Sequence, residues 1–220
     1  MLVNMKNILS KREFKILKKF NTPAKIQDFL DQLRINFEER GDTCWSPMTV
    51  LKKKSCHCTE GAILAALAFR ANGWPPLLLD LTANKNDFDH VVAVFRKDGK
   101  WGAISKTNHP VLRYREPIYR SIRELVMSYF HEYFDSRGRK NLRSFCRPVN
   151  LKRFDRLGWM TTLEEVGYIP EYLAEVRHFP ILNKKQIRSL RRADPIETYT
   201  DRLVEWKRGT SKRINFRIKK

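Results

Sequence analysis

Two side chains in this sequence have the types and spacing for nucleophilic chemistry, Cys58 and His90. Cys58 stands at the head of a run rich in Ala, Leu and Ile that predicts a helix over 59–71, apolar on all sides and therefore buried. A sulfur at a helix start faces unpaired backbone N–H groups and the positive end of the helix dipole. Both favour the thiolate, the form that attacks a carbonyl. The three lysines at 52–54 push the same way, and Glu60 opposes them unless it faces elsewhere. His90 closes the run Asp87-Phe88-Asp89-His90 ahead of an apolar strand. An imidazole far away in sequence but close in the fold takes the thiol proton and later gives it to a leaving amine. A lone cysteine is ordinarily a small buried apolar residue; the helix-start position and the downstream histidine argue against that here. Polar groups able to orient the imidazole follow in Ser105-Lys106-Thr107-Asn108.

The elements that must bring these groups together read as follows. Thr22-Pro23 starts a helix whose apolar face is Ile26, Phe29, Leu30, Leu33 and Phe37, ending at Gly41. Before it, Ile8, Leu9, Phe14, Ile16, Leu17 and Phe20 could line one side of a basic helix. After the buried helix, Gly73 and Pro75-Pro76 force a break. A strand is predicted at 77–81, another at 87–97, a tight turn at Asp98-Gly99 and a return strand at 101–105. Pro117 is expected to open a further helix carrying Ile122, Leu125, Val126, Tyr129 and Tyr133. From 136 the chain turns basic and irregular, with short helical pieces at 162–165, 170–176 and 196–207, the last closed by Gly209. The expectation is an α+β core over 1–135 and a mostly helical basic extension over 136–220 packed on it.

The residues also carry a resemblance. Cys58, Ala62, Arg70 and Gly73 resemble the catalytic-cysteine helix of the transglutaminase-like superfamily, a branch of the papain-like cysteine enzymes. Ser46-Pro47 with Val50-Leu51 looks like the segment leading into that helix, Asp89-His90 like the family's catalytic histidine on its strand, and Trp101 like its strand tryptophan. The similarity covers about residues 40–110, roughly a third of the chain. The run from Trp101 to Asn108, with Arg115-Glu116-Pro117 after it, looks like a poorly characterised bacterial subgroup of that superfamily. The resemblance implies a papain-like α+β fold, with the cysteine helix packed on a small antiparallel sheet. It also implies amide or isopeptide chemistry through a thioester on Cys58, with His90 as base and then acid. The family usually places an Asp four residues past the tryptophan to hold the histidine, where this chain has Ser105. Asn108 is the preferred neutral substitute, because an Asn fills this role in papain-like enzymes, with Ser105 second. Asp80 and Asp89 are further candidates, although Asp89, adjacent to His90 on a strand, points to the opposite face.

Composition bounds the rest. The chain has 220 residues, 42% hydrophobic and 11% aromatic, enough for a true core despite 31% charged residues. Its longest apolar run, 62–69, is far short of the about 20 residues a spanning helix needs. The first twenty residues lack a signal-peptide core, so a cytoplasmic, reducing setting with free thiols is expected. Cys44, Cys56, His57 and Cys58 lack the paired spacing of a zinc site, and neither a metal nor another cofactor is expected. His109, His131 and His178 read as surface residues or satisfied partners, and Trp45 as either a cleft wall or packing. The formal charge of +20 concentrates in 96–156, with 16 basic and 6 acidic residues, and in 184–220, with 13 and 4. Such fields attract polyanions, but no nucleic-acid-binding motif accompanies them. The expected partner is a protein or peptide substrate, acidic ones included, reached by hydrolysis or acyl transfer. The alternatives are a catalytically silent module of the same fold and a basic nucleic-acid-binding protein.

Overall fold

The computed structural model of the chain describes residues 10–39, 41–210 and 213–214. Helix α1 (Lys11–Lys19) starts at Ser10, whose hydroxyl accepts the Glu13 amide while the Glu13 carboxylate accepts the Ser10 amide. Leu17 is fully buried, whereas Ile8 and Leu9 lie outside the described residues. Helix α2 (Pro23–Gln32) begins at the Thr22-Pro23 signal but stops at Gln32, well before Gly41. Its terminal carbonyls explain the stop. The ammonium of buried Lys106 donates to Leu30 O at 2.8 Å and Leu33 O at 2.6 Å, closing the helix end from outside. The chain then extends into β1 (Arg34–Ile35), which pairs in parallel with β2 (Ser55–Cys56) after a short helix α3 (Pro47–Lys53).

Helix α4 (Cys58–Ala71) follows, and every residue from Thr59 to Ala71 is buried. It packs on strands β3 (Leu77–Ala83) and β4 (His90–Lys97), with α1, α2 and α3 around it. β3 and β4 are apolar at successive positions, as befits strands covered on both faces. Asp98 and Gly99 take φ of 49° and 75° and turn the chain into β5 (Lys100–Ile104), the hairpin that the sequence predicts. Arg70, near the end of α4, forms a bidentate ion pair with Asp155, which also accepts the Trp159 indole N–H.

Beyond the hairpin the chain departs from expectation. Pro117 lies in strand β6 (Arg115–Tyr119) rather than at a helix start, and α5 (Ile122–Phe130) opens at the Ser121 cap. β6 is the edge strand, where a residue without an N–H is tolerated. The residues past 136 do more than pack on the core. Strands β7 (Leu142–Cys146), β8 (Val149–Asn150) and β9 (His178–Pro180) complete a seven-stranded antiparallel sheet of order β6-β5-β4-β3-β7-β9, with β8 also on β3. A 3-10 helix (Leu151–Leu157), α6 (Tyr168–Glu175), α7 (Lys184–Arg188) and α8 (Pro195–Asp201) make up the remainder. The segment 162–165 is not helical but bent, ending in a β-bridge from Glu165 to Trp45, and its Thr162 and Leu163 carbonyls accept the Ser46 and Thr49 hydroxyls. The helix expected over 196–207 ends at Asp201. No described helix is long and apolar enough to cross a membrane.

Candidate active site

Cys58 is the first residue of α4 and is half-buried. His57, just before it, caps the helix: its Nδ1 lies 3.3 Å from the Thr59 amide, and the Glu60 carboxylate accepts the His57 amide at 3.0 Å. Glu60 is wholly buried, and its oxygens also accept from Asn36 Nδ2, Thr43 Oγ1 and the Trp45 amide. That carboxylate is thus turned into the loop before α3 and ties the loop to the helix start. The Cys58 amide, on the first helical turn, has no partner among the described residues.

His90 is the first residue of β4 and is 7% exposed. It lines the same cavity, of about 270 Å³, as Cys58 and His57. Its Nε2 is 2.7 Å from Ser105 Oγ. Ser105 donates its only hydroxyl proton to the Leu112 carbonyl, so toward His90 it can only accept. The imidazole therefore carries its proton on Nε2, which leaves Nδ1 as its acceptor nitrogen, while the Cys58 sulfur lies 3.8 Å from Thr59 Oγ1. Burial pushes the Cys58 thiol up, but hydrogen bonding to His57 and His90, and the charges of those rings, hold it well below its ordinary value. The other cysteines behave in the opposite sense. Desolvation pushes Cys44 and Cys56 up to about 12 and Cys146 up to about 11.

Ser105 sits where it does because α2 holds its backbone. Gln27, buried, accepts the Ser105 amide at 3.0 Å through Oε1 and donates to the Ser105 carbonyl at 2.8 Å through Nε2. Gly61 on α4 makes room for the neighbouring residue: a Cβ there would come within 2.8 Å of Lys106 Cβ. The absence of a side chain at 61 lets the 105–106 segment press against the cysteine helix.

Cys58, His90 and Asn108 line one cavity, and Ser105 reaches it only through its bond to His90; Asn108 makes no bond to the imidazole. The Asn108 amide is engaged with the Trp206 backbone, donating at 3.0 Å and accepting at 2.8 Å. Asn108 thus anchors the C-terminal segment instead of orienting the imidazole. Asp80 binds His178 Nε2 at 3.0 Å and Asp89 accepts the Ala83 amide, so neither carboxylate serves His90. Trp45 lines a neighbouring groove of about 840 Å³, with the Lys53 ammonium 3.8 Å over its ring. Among the described residues no group of three or more His, Cys, Asp or Glu has the arrangement of a metal site. By sequence His57 is weighed only as a zinc ligand; its position immediately before the cysteine, three residues from a Glu, is the signal that marks a cap. Comparison with known proteins gives no match, either to a family model or to a curated sequence.

Proposed function

We propose that the chain is a cysteine-dependent amide or isopeptide hydrolase or acyltransferase of transglutaminase-like type. The observation that carries this reading is the shared cavity of Cys58 and His90, with the imidazole held through Nε2 by a hydroxyl that can only accept. The Cys58 thiolate attacks the substrate carbonyl, forming the C–S bond while the carbonyl oxygen takes the negative charge. The Cys58 amide and the α4 N-terminus are positioned to receive that oxyanion. His90, carrying the proton taken from the thiol, delivers it to the amine as the C–N bond breaks. Water or a second amine then loses its proton to His90 and attacks the thioester, releasing the sulfur. Asp87, Asp89, Glu132 and Asp201 line the cavity beside one lysine, Lys106, whose ammonium is taken by the Leu30 and Leu33 carbonyls. A neutral or basic peptide segment therefore suits the reacting bond better than an acidic one, despite the net charge of the chain.

Alkylation tests the reading. Cys58 should react with iodoacetamide at pH 6–7, while Cys44, Cys56 and Cys146 stay unlabelled, and His90→Ala should slow that reaction. Equal, sluggish labelling of all four thiols would favour a second reading, a catalytically silent module of this fold. The specific observation on that side is Ser105, which supplies no negative charge to stabilise an imidazolium.

A further inference from the structure

We infer that His57 is a second functional imidazole of this site, a standing positive charge beside the Cys58 sulfur that leaves His90 free to move the proton. The inference rests on the cysteine-enzyme reading above and adds a residue to it. His57 and Cys58 are consecutive, line the same cavity and belong to the same turn of α4. The far nitrogen of the ring, Nε2, is surrounded by oxygens: Thr43 O at 2.9 Å, Glu60 Oε1 at 3.4 Å and Glu38 Oε1 at 3.6 Å. Two carboxylates from two different segments therefore back one ring. They belong to Glu38 of the loop after β1 and Glu60 of α4, and both favour the imidazolium.

On its near side the ring meets the α4 N-terminus. As a neutral cap, Nδ1 accepts the Thr59 amide across a long 3.3 Å. With a proton on Nδ1, the same atom turns from acceptor to donor and serves the sulfur, giving up that weak bond. The titratable groups that share the cavity are His90, Asp87, Asp89, Lys106, His109, Glu132 and Asp201, and Cys44 outside it stays a neutral thiol. Burial works against the charged ring, but hydrogen bonding and charge from Cys58, with Glu60 and the Thr43 carbonyl behind, raise His57 to about 9. The proton count closes without it. The Cys58 proton goes to His90 and from there to the leaving amine, and water restores it on deacylation. His57 keeps its own proton throughout, balanced by Glu38 and Glu60.

The test is the pH profile of Cys58 carboxamidomethylation by iodoacetamide in the full chain, for wild type, His57→Asn and His90→Ala. Asn is a strong helix cap, so α4 keeps its start while the charge is lost. His57→Asn should move the midpoint upward by about one pH unit or more and slow labelling at pH 6 by ~10-fold. A His57→Asn midpoint equal to wild type overturns the inference, and if His90→Ala still shifts, the cysteine-enzyme reading survives alone. A wild-type midpoint at that of an ordinary thiol overturns both. Should His57→Asn fail to fold, nitrogen NMR of the wild-type imidazole at pH 7 decides. Protons on both His57 nitrogens support the inference; a bare Nδ1 overturns it.

Discussion

His90 Nε2 stands 2.7 Å from Ser105 Oγ, and that hydroxyl spends its own proton on the Leu112 carbonyl. A neutral acceptor so committed selects one tautomer and one ring orientation, yet it contributes no charge. Ser105→Ala should therefore weaken positioning without abolishing the thiol–imidazole pair. One hydrogen bond of about 1 kcal/mol corresponds to a loss of ~5-fold in Cys58 alkylation at pH 7. Stopped-flow alkylation measures this; an unchanged rate would show that the ring is held by packing alone.

Asn108→Ala has a different signature. It removes both bonds to Trp206 and touches neither the imidazole nor the thiol. Trypsin should cut more readily at Arg202, Lys207 and Arg208, while the Cys58 alkylation rate stays within about twofold, because Asn108 shares the cavity but bonds to neither group. A large fall in alkylation would restore Asn108 to the imidazole.

Gln27→Leu should both destabilise the fold and slow the thiol. It strands the Ser105 N–H and C=O, each at about 1–3 kcal/mol. Urea unfolding reads the first effect and alkylation of the remaining folded protein reads the second. Lost stability with normal alkylation would mean that Ser105 holds its place without α2.

High pH should unfold the chain through its buried thiols. The pKa values of Cys44 and Cys56 are raised from about 9 when unfolded to about 12 when folded, by desolvation. Between those values the unfolded chain has lost protons that the native chain keeps, so stability falls as pH rises. The slope is about 1.4 kcal/mol per cysteine for each pH unit above 9. Below 9 this contribution is fully present. Comparing urea midpoints at pH 8 and pH 10 for wild type and Cys56→Ala checks it: the variant should lose less.

The parts of this molecule legible in its sequence are the local ones. The α4 run, the Asp98-Gly99 turn and the Thr22-Pro23 helix start each declare themselves within a dozen residues. Cys58 and His90 fall where the sequence expects them, at the start of α4 and in β4. The bonds of Asn108 are not legible, because its partner Trp206 lies 98 residues further on. Strands β7 to β9 are illegible for the same reason: pairing of β7 and β8 with β3, and of β9 with β7, leaves no mark in the local sequence. Pro117 misled because its missing N–H suits an edge strand as well as a helix start. His57 reads from sequence only as a rejected zinc ligand, because histidine is an uncommon cap.

The clasp between Asn108 and Trp206 also bears on the cavity wall. The groups set around the sulfur, with the Gln27 that holds Ser105, lie within residues 27–112, whereas Asp201, part of the cavity wall, lies in the loop of nearly a hundred residues that the Asn108–Trp206 bonds close. Loss of that clasp would free the segment carrying the Asp201 wall without touching the His90–Ser105 bond or the two bonds from Gln27 to Ser105.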